Sequence, residues 1–200
     1  MSILVGLTGG IATGKSTVSK YLAAKGIPII DGDKAARYVV EVGMPGLQKL
    51  VKHFGTSILL PDGSLDRKKL GAIVFSDKEK QQLLNELLHP AIYQWMDEER
   101  ERLEKEQVPL IVFDVPLLFE TKVKRQYDHI LVVAADEKIQ LERLMRRNQL
   151  SEEEAKQRMD SQMPLAEKIR QADDVIDNSF DLETTYRQVD KWLEKVKKSQ

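Results

Sequence analysis

The 200-residue chain, 42% hydrophobic and 32% charged, has the length and composition of one folded domain with room for an inserted lobe. Its formal net charge of -1 excludes nucleic-acid or membrane binding through bulk charge, so any anion site must be built locally. With no cysteine, disulfides, thiolate catalysis and cysteine-based zinc sites are excluded.

His53, His89 and His129 lie far apart and show no ligand spacing. The amino terminus has no basic segment and Gly9-Gly10 interrupts its apolar run, so no signal peptide is expected. No apolar run approaches the roughly 20 residues that cross a bilayer. A cytoplasmic protein without nucleic-acid or membrane partners is expected, working as a monomer.

The run Ile3-Leu4-Val5-Gly6-Leu7 reads as a strand and leads into Gly9-Gly10-Ile11-Ala12-Thr13-Gly14-Lys15-Ser16, which fits G-x-x-x-x-G-K-[ST]. Gly9 and Gly14 let the backbone turn so that successive N–H groups, through Ala12, Thr13 and on to Thr17, point at phosphate oxygens. Lys15 supplies a mobile charge for the β- and γ-phosphates and Ser16 a hydroxyl for Mg²⁺. The spacing predicts a helix from about Lys15 to Lys25, burying Val18, Tyr21 and Leu22 and stopped by Gly26. Its positive end would face the same anion.

Ile27-Pro28-Ile29-Ile30 reads as a second strand ending at Asp31-Gly32-Asp33, with a helix from Lys34 to Val42. The carboxyl ends of strands in an open α/β sheet face the ligand crevice, so these aspartates are expected beside the phosphate loop. Asp33 could take the proton of an attacking hydroxyl, or either aspartate could cap the helix. Arg37, at i+4, could pair with Asp33, reach an anionic substrate or sit on the surface.

Residues 43–107 read as helical, broken by turns at Gly43-Met44-Pro45-Gly46 and Pro61-Asp62-Gly63, and lack a strand. His89-Pro90 is expected to open a long helix, with Pro90 in its first turn. His89 itself could cap, line an acceptor pocket or pack. Such a helical insertion would hold a second substrate.

Leu110-Ile111-Val112-Phe113-Asp114 reads as a buried parallel strand whose terminal Asp114 is placed to hold Mg²⁺, although turn formation alone is the other reading. Pro116-Leu117-Leu118-Phe119-Glu120 follows as a loop. His129–Ala134 and Asp174–Asp177 give a fourth and fifth strand. Between them Arg143, Arg146 and Arg147 precede Ser151-Glu152-Glu153-Glu154, a capping box opening a helix that carries Arg158 and is expected to end near Pro164. Two antiparallel helices with inward arginines would make a lid over phosphates; a solvated hairpin is the alternative.

With these residues in view, the chain resembles the dephospho-coenzyme A kinase family over nearly its whole length. The resemblance is carried by Gly6-Leu7-Thr8-Gly9-Gly10-Ile11 through Thr17, the aspartate pair with Arg37, Leu65-Asp66-Arg67 with Val74-Phe75, His89-Pro90, Val115 to Glu120, Arg158 to Gln162, and Ala172-Asp173 with Asp177-Asn178. It implies an α/β P-loop kinase core with a five-stranded parallel sheet flanked by helices (about 1–42, 108–136 and 171–200). A helical substrate domain (about 43–107) and a helical lid (about 137–170) would complete it.

The implied reaction moves the γ-phosphate of ATP, with Mg²⁺, to the ribose 3'-hydroxyl of dephospho-coenzyme A. It makes Asp33 the base, with Lys15 and Arg158 steadying the transferred charge. Asp33, Arg37, His89 and Leu118 would lie toward the acceptor, and Arg143 and Asn178 near the adenine. Departures from the family pattern are Ala12-Thr13 where Gly-Ser is common, Gly32 where Ala is common, and Phe180 where Gly is common. Other readings are a nucleoside or nucleotide kinase, a non-catalytic ATP-binding regulator, and a GTP switch. The switch would need an N-K-x-D motif that the chain lacks.

Overall fold

A computed structural model describes residues 2–75, 77–120 and 126–198. Strands β1 (Ile3–Gly9), β2 (Ile29–Asp31), β3 (Leu110–Asp114), β4 (His129–Ala134) and β5 (Asp174–Asp177) form one parallel sheet in the order β2-β3-β1-β4-β5. Val5 of β1 lies opposite Val112 on one side and His129 on the other. Chain order reverses about β1, so the crevice beyond its carboxyl end is the switch point at which such sheets bind ligands. The glycine-rich loop leaves the sheet there.

The chain divides into two compact units, Met1–Ile30 with Leu103–Gln200, and Asp31–Arg102. In the first, every residue of β3 is buried, as a central parallel strand flanked on both faces requires. Helix α1 (Lys15–Ala24) buries Val18 and Leu22 in the same core. A carboxyl-terminal helix (Leu182–Lys198), beyond the expected elements, contributes Val189, Trp192, Leu193 and Val196. That i, i+3, i+4, i+7 stripe is a helix's core face, and each large aliphatic side chain so buried contributes about 1.5–3 kcal/mol. Tyr21 stacks on Tyr186 with ring centroids 3.9 Å apart and donates to Asp190 at 2.9 Å, tying α1 to this helix.

The second unit is helical: α2 (Gly32–Tyr38), α3 (Pro45–Phe54), α4 (Arg67–Phe75) and most of α5 (Lys78–Lys105), around Leu50, Ile58, Leu47 and Leu70. Beyond Asp31, which ends β2, the only β pairing among its described residues is an isolated bridge between Leu59 and Leu65. Pro90 does not open a helix, as expected from sequence, but lies inside α5. Leu84, Leu87 and Leu88 before it and Ala91, Ile92 and Trp95 after it all pack on one core. Their burial offsets the lost backbone hydrogen bond and ring clash, about 3 kcal/mol for a proline in a helix interior.

Other boundaries move for local reasons. The second strand is Ile29–Asp31 rather than Ile27–Ile30, because the Ile27 N–H is spent on the Leu22 carbonyl at 3.1 Å, closing α1. Helix α2 starts at Gly32 because Asp31 caps it, and ends at Tyr38 where Val39 and Val40 turn into the core. The charged segment holds three helices, α6 (Glu137–Asn148), α7 (Glu152–Asp160) and the unexpected α8 (Leu165–Arg170). The capping box of α7 is complete, with both the Ser151 and the Glu154 hydrogen bonds made. Of the arginines singled out in this segment, Arg146, Arg147 and Arg158 are exposed and Arg143 is half-buried. The helix from Leu182 to Lys198 is α9.

Candidate active site

Gly14 stands at the amino-terminal cap of α1 with φ 88°, and no side chain caps the helix. Thr17 N–H donates to the Gly14 carbonyl at 2.9 Å, so among the described residues the Lys15 and Ser16 N–H groups are left for an anion, at the positive end of the helix dipole. A Cβ on Gly14 would lie 2.0 Å from Asn178 Nδ2, and one on Gly9 would lie 2.6 Å from the Val133 carbonyl oxygen. Both glycines are needed for close approach, and Gly14 for its left-handed turn as well. Ala12 is left-handed too, at φ 59°.

Lys15 makes an ion pair with Oδ1 of Asp114. The pairing follows from register: Asp114 lies opposite Leu7, and β1 continues from Leu7 into the loop that carries Lys15. Asp114 is 5% exposed, so its carboxylate sits in a nearly dry place against a charged partner able to move. Ser16 is exposed at the first turn of α1. One carboxylate and one hydroxyl are hard oxygen donors that suit Mg²⁺. Among the described residues no group of three or more His, Asp or Glu side chains could hold a metal. An ion here would take its other ligands from phosphate and water.

Asn178 is 4% exposed. Its Nδ2 donates to the Thr13 carbonyl at 2.8 Å and its Oδ1 accepts from Thr185 Oγ1 at 2.8 Å. With both ends of the amide engaged, Asn178 braces the loop against α9. Arg143 Nη1 is buried and finds no hydrogen-bond acceptor among the described residues, whereas Arg158 is open to solvent. Leu118, half-buried, lies against the backbone at Gly6, where a Cβ would come within 2.6 Å of it.

In the second unit the cap of α2 is settled. Asp31 Oδ1 accepts from the Asp33 N–H at 2.8 Å and the Lys34 N–H at 3.1 Å. Asp33 is exposed in the first turn, and among the described residues its carboxylate accepts no hydrogen bond and pairs with no Arg37. Arg67 Nη2 donates to the Arg37 carbonyl at 3.3 Å, while Asp66 Oδ1 accepts from the Lys69 N–H at 2.9 Å and caps α4. His89 is half-buried with its ring 5.6 Å from that of Tyr93, and desolvation lowers its pKa.

Residues 3–184 match the family model described as dephospho-CoA kinase. The chain belongs to the dephospho-CoA kinase family. A dephospho-CoA kinase of Bacillus cereus is 50% identical over 190 residues, 95% of each chain. The solved dephospho-CoA kinase of Campylobacter jejuni is 30% identical with a TM-score of 0.75, covering 100% of this chain and 99% of that one. A solved Thermus thermophilus protein, TT1252, is 34% identical with a TM-score of 0.81 over 97% of each chain.

In this kinase the phosphate loop is also gripped by residues outside its own motif. Gln140 Nε2 donates to the Ile11 carbonyl at 2.6 Å, Gln162 Oε1 accepts from the Ile11 N–H at 3.0 Å, and Lys168 Nζ donates to the Gly9 carbonyl at 3.3 Å. A glutamine or lysine in a charged helical segment carries no periodic signal.

Proposed function

We propose that Asp33 is the general base and Lys15 the charge stabiliser of the reaction that defines this family. The chain phosphorylates dephospho-coenzyme A at its ribose 3'-hydroxyl with ATP as donor, giving coenzyme A and ADP, the last step of coenzyme A biosynthesis. In this reading the 3'-hydroxyl gives its proton to the Asp33 carboxylate as its oxygen bonds to the γ-phosphorus, and the bond from that phosphorus to the bridging oxygen of ADP breaks. An exposed carboxylate that meets no hydrogen-bond donor among the described residues, beside an aspartate already spent as a cap, is suited to accept that proton.

Lys15 would leave Asp114 for the β- and γ-phosphates, and the Asp114 carboxylate with Ser16 would hold Mg²⁺. Bound there, the ion would neutralise phosphate charge. Loop N–H groups from Gly9 through Ala12, Thr13, Gly14 and Thr17 would bind the triphosphate. Arg143, with its unmatched Nη1, would meet ATP, and Asn178 would act on the nucleotide through Thr13. Arg158 would reach the transferred phosphate from α7, and Arg37, His89 and Leu118 would contact the acceptor. The functional division is a core, a helical acceptor region and a lid, acting as a cytoplasmic monomer without nucleic-acid or membrane partners. No helix among the described residues is long and apolar enough to cross a membrane.

Family membership carries the substrate choice, and the Lys15–Asp114 pair at the switch point is the observation that supports the site. Incubation with ATP, Mg²⁺ and dephospho-coenzyme A should yield coenzyme A by mass. Asp33→Asn should lower kcat by about 10²-fold or more, in the range for loss of a general base, with a smaller change in KM. Phosphorylation of a nucleoside monophosphate but not of dephospho-coenzyme A, or near-normal kcat in Asp33→Asn, would overturn the reading.

A further inference from the structure

Lys168 is completely buried, yet it is a cation and takes no part in the chemistry proposed above. Its Nζ lies 2.8 Å from Glu120 Oε1 and 3.3 Å from the Gly9 carbonyl oxygen. Glu120 Oε1 also accepts from the Met163 N–H at 3.2 Å. A single ammonium thus joins the first glycine of the phosphate loop, the loop after β3 and the approach to α8.

Burial of an ion pair costs several kcal/mol per ion before the mutual attraction repays it, and a hydrophobic pair could fill the same space. The cation does something a hydrocarbon cannot. Because Lys168 has no exposure to solvent, a carbonyl bonded to it is turned into the protein. The Gly9 oxygen, a partial negative charge at the mouth of an anion site, is therefore held away from an incoming triphosphate, and the loop presents N–H groups instead.

We propose that Lys168 is a positioning residue for ATP, acting through the Gly9 carbonyl; this rests on the phosphate loop being the ATP site. It touches neither substrate, so its loss should weaken ATP binding in ground state and transition state alike.

Steady-state kinetics on the full chain test this. Lys168→Met should raise the ATP KM about tenfold or more with kcat changed by less than about threefold, the pattern of lost uniform binding. Lys168→Met also strands the Glu120 carboxylate, so its Tm should fall. The double variant Lys168→Met/Glu120→Gln removes both charges and should recover Tm while keeping the raised ATP KM. Glu120→Gln alone keeps the Lys168–Gly9 bond and should lower Tm with the ATP KM within about threefold of wild type.

An ATP KM that returns to the wild-type value along with Tm in the double variant would overturn the inference. So would a Glu120→Gln variant whose ATP KM rises as far as that of Lys168→Met. Either result with an active wild type leaves the ATP-site reading intact. Failure of the wild type itself to bind ATP, by calorimetry with a non-hydrolysable analogue, would remove that reading and the inference with it.

Discussion

Ala12 shows what a motif leaves open at a single residue. The G-x-x-x-x-G-K-[ST] pattern allows any residue there, but the backbone sits at φ 59°, where a Cβ crowds the following carbonyl at a cost of about 1–2 kcal/mol. Ala12→Gly should therefore raise stability by up to about 1 kcal/mol, part of the relief being lost to the entropy of an unfolded glycine. A higher urea midpoint at unchanged slope is the expected reading; a lower midpoint would count against it. His89 carries a second residue-scale prediction. Desolvation lowers its folded pKa below the unfolded value, so the unfolded chain binds the proton more readily. Stability from this site is full above the unfolded pKa and is lost as pH falls through it toward the folded value. Thermal melts from pH 7.5 to pH 5.5 should drop less steeply for His89→Gln than for the wild type; parallel profiles would show that the site contributes nothing. The aspartate pair was legible in the sequence as a pair, but only the backbone could say which member is the cap, since both stand at one helix start. Lys168 was not legible, because its partners Gly9 and Glu120 are distant in sequence and a buried lysine is spelled like a surface one.

Elements were easiest to read where one pattern governed them. The apolar run of β3 up to Asp114, the glycine-to-helix step at α1 and the Ser151 capping box are local instructions, and each is obeyed. Helix α5 disobeys its own. Proline removes an N–H, clashes with the carbonyl four residues back and disfavours helix at the residue before it, so local chemistry argues for a start at Pro90. The apolar residues on both sides of Pro90 share one core, and a continuous helix is the arrangement that buries them all. Pro90 is itself exposed, so its removal sacrifices little packing. Pro90→Ala should restore the backbone hydrogen bond to Glu86 and stabilise the second unit by about 1–3 kcal/mol, approaching the usual cost of an interior proline. Chemical denaturation followed by circular dichroism would check it, and an unchanged or lower midpoint would mean that the helix around Pro90 is adapted to the kink.

At the scale of the molecule, alternating strands and helices pointed to a parallel α/β sheet, but strand order was not spelled out. The central place of β1 depends on β3 and β4 flanking it, a pairing of segments more than 100 residues apart with no local signature. Nor does composition announce two cores, since the apolar residues of the 31–102 unit read like those of the rest. The two tryptophans allow the cores to be followed separately: Trp192 is buried in the first and Trp95 packs against the second. Leu50 is fully buried in the second core, so Leu50→Ala should cost that unit about 2–5 kcal/mol through lost transfer energy and the cavity left behind. With both tryptophans labelled as 5-fluorotryptophan, urea titration followed by fluorine NMR reports each core without a further substitution. In Leu50→Ala the Trp95 signal should convert at lower urea while the Trp192 signal keeps its midpoint, because each core is filled by its own residues. If both signals instead move together by the same amount, the chain unfolds as one cooperative body and the destabilisation is shared. The separate outcome has a functional corollary: at urea concentrations between the two midpoints the variant should still bind an ATP analogue through its phosphate loop, yet transfer no phosphate, since Asp33 belongs to the unit that has melted.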